Sequence, residues 1–214
     1  MHMPHDIESH TRRNVIMLDV LERLLIMTLY VFLVVRIVGS MREGGHLVNG
    51  LLLVSEGLVI LFLLIRRPTS EVSFRPRVWF LAIVATCGPL LVTPSLGTPL
   101  ASPVVGMSIW LFGTLLQVSA KLALGRSFGC IPAHRGLKLC GPYRWLRHPM
   151  YAGYVLSHVA FLLMNPSLGN LAIYMLCDAV QVPRMLFEER FLGRDPAYLA
   201  YCRDVKWRVV PGLF

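Results

Sequence analysis

Residues 141–153 read GPYRWLRHPMYAG. They pack Tyr143, Arg144, Trp145, Arg147, His148 and Tyr151 among Gly141, Pro142, Pro149 and Gly153. A polar segment ends here and an apolar run begins at about residue 150. Cationic and aromatic side chains at such a boundary either anchor a chain at a membrane surface or build a site. The rest of the chain decides between them.

Of its 214 residues, 55% are hydrophobic and only 15% charged, with a mean hydropathy of +0.60. Soluble domains average about 25% charged, so the composition predicts a polytopic membrane protein. The net charge of +9 is not accompanied by a basic amphipathic helix or an aromatic-interleaved basic patch, which argues against nucleic acid as a partner. A basic cytoplasmic face accounts for it. Cys87, Cys130, Cys140, Cys177 and Cys202 are odd in number and lack paired spacing, which disfavours a disulfide framework. The opening MHMPHDIESHTRRN has no short apolar region followed by a cleavage site, so no removable signal peptide is expected. His2, His5 and His10 there read as part of a polar tail.

Apolar runs fall at about 15–38, 47–65, 78–94, 103–124, 150–164 and 168–187. Most reach the roughly 17–25 residues that a spanning helix requires. The fifth is short, and Asn165-Pro166-Ser167-Leu168-Gly169 separates it from the sixth. Turn formers at that point predict a tight helical hairpin.

Basic residues alternate along the chain. Arg12 and Arg13 precede the first run; Arg66, Arg67, Arg75 and Arg77 lie at 66–77. Arg126, Arg135, Lys138, Arg144 and Arg147 lie at 125–149, and Arg190, Arg194, Arg203, Lys206 and Arg208 follow the last run. The alternate loops are nearly bare, with Arg42 in one and no basic residue at 95–102 or 165–168. By the positive-inside rule this fits six spans with both termini cytoplasmic. The fold expected is all-α, a polytopic integral membrane bundle of five to six transmembrane helices. Within one domain, 1–124 holds the first four helices. The remainder, 125–214, holds a loop at 125–149, the hairpin at 150–187 and a cytoplasmic tail at 188–214. No GxGxxG follows a strand pattern, so a Rossmann domain is not expected.

Ionisable groups inside apolar runs are functional candidates, and each also has a structural reading. Asp19 or Glu22 can pair with Arg23. Glu56 lies mid-span as either a relay or a buried carboxyl. Gln117 and Lys121, one turn apart, bridge helices or snorkel. His158 and Asp178 lie at similar distances from the hairpin turn, which predicts a hydrogen bond between them, with a role near substrate as the alternative.

The tail carries Arg184-x-x-x-Glu188-Glu189, Tyr198-x-x-Tyr201, Arg208 and Pro211. On a helix Arg184 and Glu188 share a face. Alone, this segment reads as an ion pair followed by a solvated amphipathic helix. A hairpin, however, returns its two ends to one place. Arg147, His148, Tyr151, Arg184 and Glu188 are therefore expected to converge at the cytoplasmic membrane surface.

LGRSFG at 124–129, GPYRWLRHPMYAG at 141–153, the Asn165-Pro166 turn, Arg184-x-x-x-Glu188-Glu189 and the Tyr198/Tyr201 tail resemble the isoprenylcysteine carboxyl methyltransferase family. Its wider relatives include membrane phospholipid N-methyltransferases. The resemblance runs over about 120–214 and implies an S-adenosylmethionine-dependent membrane methyltransferase with a cytoplasmic cofactor pocket, in a bacterial or archaeal inner membrane. It implies a pocket lined by Arg135, Gly136, Leu137 and Lys138 and enclosed by Tyr143, His148, Pro149, Met150 and Tyr151. Glu188 would hold the cofactor's cationic end, and Arg184 would bind the substrate carboxylate.

The residue types suit that chemistry. The cofactor presents an ammonium, a sulfonium, a carboxylate and an adenine ring, and this cluster offers a carboxylate, cations and aromatic faces. Aromatic faces stabilise a sulfonium by about 0.5–2 kcal/mol, and alignment of an in-line displacement contributes roughly 7–11 kcal/mol. A carboxylate acceptor is already ionised at neutral pH and can be held bidentately by Arg184. An amine or thiol acceptor needs deprotonation, with His148 or Glu188 as candidate base. A lipophilic acceptor would arrive from the bilayer, among membrane lipids, and the cofactor from the cytosol. Competing readings are a membrane scaffold or transporter, although no internal repeat is visible, and a zinc site of Cys130, His134, Cys140 and His148. The latter's spacings match no usual ligand pattern, and no metal is expected.

Overall fold

The computed structural model describes residues 76–92, 98–128 and 137–213, with scattered positions in 16–38 and 58–65. Every regular element among the described residues is helical, in line with the all-α expectation. Helix α1 spans Pro76–Cys87, α2 Pro103–Leu124, α3 Pro149–Met164, α4 Leu168–Leu192 and α5 Pro196–Asp204. Short 3-10 turns at Gly88–Leu91, Gly125–Ser127 and Gly141–Arg144 punctuate them.

Local chemistry sets the ends. Ser102 caps α2 by accepting the Val105 amide at 3.4 Å, and Pro103 occupies the first turn, where its missing N–H costs nothing. Ser167 caps α4 through the Asn170 amide at 3.0 Å, and Asp195 caps α5 through Ala197 at 2.9 Å. The Asn170 side chain, itself buried, donates back to the Asn165 carbonyl at 3.1 Å. These bonds close the expected hairpin turn within 165–167. The apolar run at 78–94 is not one continuous α-helix: α1 stops at Cys87 and continues as the 3-10 turn Gly88–Leu91. Pro89 lacks the N–H an α-helix needs and its ring crowds the preceding turn.

α4 runs through Pro183 to Leu192, so its apolar part and the Arg184, Glu188 and Glu189 positions form one rigid element. Among the described residues only Pro103–Ser127 is both long and apolar enough to cross a membrane. α3 is apolar but shorter, and α4 carries Asn170, Asp178, Gln181 and Arg184 along its length. Val104, Phe112, Leu115 and Leu122 on α2, and Leu168, Met175 and Leu176 on α4, are exposed. Water disfavours such a surface and hydrocarbon does not.

α3 packs closely on α2. A Cβ on Gly153 would sit 2.7 Å from the Gly113 carbonyl oxygen, so the two backbones meet where neither has a side chain. Gln117 donates across this contact to the Gly153 carbonyl at 3.1 Å and to Ser157 Oγ at 2.9 Å, the helix bridge the sequence suggested. Lys121 is fully buried and does not snorkel. α4 packs against α1, with Cys177 Sγ occupying the space a side chain on Gly88 would need. Asp19 pairs with Arg23 at 3.0 Å, as anticipated. Near the far end of α2, Phe62 packs on Phe128, and Arg126 donates to the Ile65 carbonyl at 2.9 Å. Glu56 lies outside the described residues.

Candidate active site

The cluster grows from the turn before α3. Gly141 adopts φ 60°, a left-handed conformation glycine accepts without cost, and the Gly141–Arg144 turn follows. It buries Tyr143 and leaves Trp145 72% exposed. Arg147 and His148 then enter α3. The tail returns to this stretch through backbone bonds: the Arg147 amide donates to the Trp207 carbonyl at 2.9 Å and the His148 amide to the Arg208 carbonyl at 2.8 Å. Arg147 Nη2 donates to the Lys206 carbonyl at 2.9 Å. From α5, Tyr201 Oη donates to the Tyr143 carbonyl at 2.8 Å and the Leu146 carbonyl at 3.3 Å. Tyr198 and Tyr201 are buried and Leu137 packs against them, so α5 is an amphipathic helix that packs one face onto this stretch and leaves the other exposed.

Two carboxylates at the end of α4 divide the work. Glu189 joins the protein to itself: Arg147 Nη1 lies 3.0 Å and His148 Nε2 3.1 Å from its Oε1, and Arg208 Nε lies 2.9 Å from its Oε2. Burial alone would raise the Glu189 pKa. The bond and charge of His148, the bond of Arg208 and the charge of Arg147 outweigh it and hold the carboxyl below its ordinary value. Glu188 faces the other way, accepting the Tyr151 hydroxyl at 3.3 Å. Arg184, buried, lies over the Tyr151 ring with Cζ 5.5 Å from its centroid. The His148 and Tyr154 rings flank Tyr151 at 5.5 and 6.4 Å. Burial, then the charge of Glu188, pushes the Tyr143 hydroxyl well above its usual pKa, so it stays a protonated donor beside that carboxylate.

Tyr143, His148, Pro149, Tyr151, Arg184 and Glu188 thus occupy one neighbourhood at the joined ends of α3 and α4. Leu137 and Lys138 lie half-buried in the segment leading to the turn. Met150 turns away, packing toward Phe62 and Phe128. Arg135 and Gly136 lie outside the described residues, as do Cys130 and His134 of the zinc reading. Among the described residues no group of three or more His, Cys, Asp or Glu could hold a metal ion. The sequence reading gave Glu189 no role, although its neighbours Arg147 and His148 were recognised. A pair of adjacent carboxylates on a helix must point in different directions, about 100° apart, and that was the available signal.

Two turns up α3, His158 Nδ1 lies 2.8 Å from Asp178 Oδ1, the expected pair. His158 also stacks on Tyr174 with centroids 4.1 Å apart, and Phe161 meets Tyr174 edge-on at 5.7 Å.

The cluster combines a carboxylate that accepts the Tyr151 hydroxyl, an arginine stacked on that tyrosine, a protonated phenol and the rings of His148 and Tyr154. Such a set can bind a cationic group and a carboxylate side by side. No curated protein matches the chain. Residues 101–195, from the loop before α2 to the Asp195 cap, match the model of the phospholipid methyltransferase family, a family of integral membrane methyltransferases related to the isoprenylcysteine carboxyl methyltransferases.

Proposed function

We propose that this chain is an S-adenosylmethionine-dependent, multi-pass membrane methyltransferase that methylates a carboxylate on a lipidated or hydrophobic acceptor. The observation that carries the proposal is the buried Arg184 stacked on Tyr151, whose hydroxyl is held by Glu188. Bound here, S-adenosylmethionine supplies an electrophilic methyl group on a sulfonium. The donor set suits it: Glu188 is the carboxylate for its ammonium, and the rings of Tyr143, Tyr151 and Tyr154 offer faces for its cationic sulfur. Leu137, Lys138, His148 and Pro149 complete the wall.

Arg184 orients the acceptor carboxylate. Held there, the acceptor carboxylate would face the methyl group that the bound cofactor would supply, with a neutral thioether as the leaving group. No proton moves, so a carboxylate acceptor needs no base. What the protein contributes is alignment and exclusion of water, and the tail held over the site by Trp207 and Arg208 provides the cover. The basic loops favour both termini and the site on the cytoplasmic face, where a soluble cofactor and a bilayer-borne acceptor can meet.

A second reading follows from the phospholipid methyltransferase match: transfer to a lipid amine. That acceptor must lose a proton, and His148, bonded through Nε2 to Glu189, would serve as the base. Calorimetric titration of the purified protein with S-adenosylhomocysteine tests the enzyme reading, and absence of binding in a folded sample overturns it. Arg184→Ala is expected to abolish transfer to a carboxylate while sparing cofactor affinity, and Glu188→Ala to weaken cofactor affinity about tenfold or more. Equal loss of both properties in Arg184→Ala moves Arg184 into the cofactor site.

A further inference from the structure

Gln181 stands apart from the other polar side chains of α4. It is 5% exposed, and its Oε1 is sealed from solvent with no hydrogen-bond partner among the described residues. Interiors leave few such groups unsatisfied. Its neighbours on the buried face are provided for. Asn170 closes the hairpin turn, Asp178 takes His158, and Glu188 takes Tyr151. The two other sealed atoms without partners, Arg147 Nε and Tyr198 Oη, belong to the loop and tail packing.

Spacing places Gln181. It follows Tyr174 by seven residues and precedes Glu188 by seven, so the three share one line along the helix. Tyr174 meets His158 and Phe161, and Glu188 meets Tyr151, so that line faces α3. Gln181 therefore sits in the α3–α4 seam between the His158–Asp178 pair and the Tyr151–Glu188 pair, one turn from Arg184. Because Oε1 is sealed from water, a donor reaches it along the seam.

We propose that Gln181 is a specificity-determining contact for the acceptor, its carboxamide hydrogen-bonding a polar N–H or O–H that neighbours the methylated group on a chain lying between α3 and α4. This rests on the methyltransferase reading above. A neutral carboxamide discriminates by leaving itself unpaired when the wrong molecule binds. It also lets one site read an acceptor whose reactive group is held separately, by Arg184.

The test compares wild type with Gln181→Leu, a near-isosteric variant without hydrogen-bonding atoms. The assays are transfer of labelled methyl from S-adenosylmethionine into a total polar membrane-lipid extract, calorimetry with S-adenosylhomocysteine, and thermal unfolding. Gln181→Leu is expected to melt higher, because an unpaired buried polar group is gone. It should bind S-adenosylhomocysteine unchanged and show KM for the labelled lipid raised about tenfold to a hundredfold. A higher melting temperature with unchanged KM makes Gln181 a packing defect and overturns the inference. Weakened S-adenosylhomocysteine binding places it in the cofactor wall, and a lower melting temperature means the fold itself satisfies it; either result overturns the inference too. Failure of wild type to bind S-adenosylhomocysteine sinks the methyltransferase reading itself. Binding without any labelled lipid sinks the lipid acceptor and, with it, this contact.

Discussion

α3 has two faces, and they are built on opposite principles. Toward α2 it presents Gly153 and Ser157, and the helices meet backbone to backbone, with the buried Gln117 satisfied twice over. Toward α4 it presents Tyr151, His158 and Phe161, and the contact is made by the far ends of long polar and aromatic side chains. Two buried glutamines mark the contrast: Gln117 Nε2 has two acceptors on α3, whereas Gln181 Oε1 has no partner. The first seam is packed for rigidity. The second is bridged by its side chains, and Tyr151, Arg184 and Glu188, proposed to act on substrate or cofactor, meet along it.

If that division is right, the two seams should fail differently. The largest effect is expected at the first. Gly153→Val places a Cβ 2.7 Å from the Gly113 carbonyl oxygen, which is backbone and cannot rotate away. Overpacking of this kind costs about 3 kcal/mol, read as a large drop in melting temperature or as failure to accumulate folded protein. A wild-type melting temperature for Gly153→Val would show that α2 and α3 part easily and would dissolve the distinction.

How much of this was legible in the chain follows the same division. The α2–α3 seam left little trace in the sequence, because a glycine pair that allows close approach looks like any other glycine pair until the helices are placed. Gln117 could be marked as a bridge but not given its partners. The second seam was more legible. His158 and Asp178 were paired by their distance from the 165–167 turn, and Arg184 and Glu188 were brought to Tyr151 by hairpin closure. What escaped was direction. Adjacent Glu188 and Glu189 look equivalent in one dimension, yet the first faces Tyr151 and the second binds Arg147, His148 and Arg208. The change from α to 3-10 helix after Cys87 leaves no mark in the run, because apolar content continues past Gly88-Pro89 while α-helical hydrogen bonding does not.

Glu189 provides an intermediate effect, at the end where the second seam is tied shut. Its neutral analogue Glu189→Gln keeps the shape but removes the charge that Arg147 and Arg208 share, at a cost of about 2 kcal/mol. The folded protein holds the Glu189 carboxyl below its ordinary pKa. Its contribution is therefore complete above the unfolded value of about 4.3 and is lost as pH falls through the lower folded value. The melting temperature of wild type should be steady near neutrality with respect to this group and fall in acid. Glu189→Gln should lower the neutral melting temperature and lose part of the acid-side slope. Hydrogen exchange at 205–213 should rise in the variant, since the tail bonds at Trp207 and Arg208 stand beside the released charges. A parallel acid profile in the two proteins would mean that Glu189 does not carry the linkage.

The smallest effect is expected where the second seam is most self-sufficient. His158 bonds Asp178 and stacks on Tyr174, and the Asp178 side chain is 28% exposed. His158→Phe preserves a ring to stack on Tyr174 and removes only the hydrogen bond. The loss should be about 1 kcal/mol, because Asp178 keeps partial access to other partners. Were this pair part of the acceptor site, the same change would raise KM for the methyl acceptor; were it a structural tie, KM would stay put while the melting temperature drops. The structural outcome is expected, since the pair satisfies itself within the protein while Gln181, one turn nearer the site, does not. A large rise in KM for His158→Phe would extend the acceptor site along the seam to Tyr174. It would also move the boundary between tie and site one turn deeper into the seam.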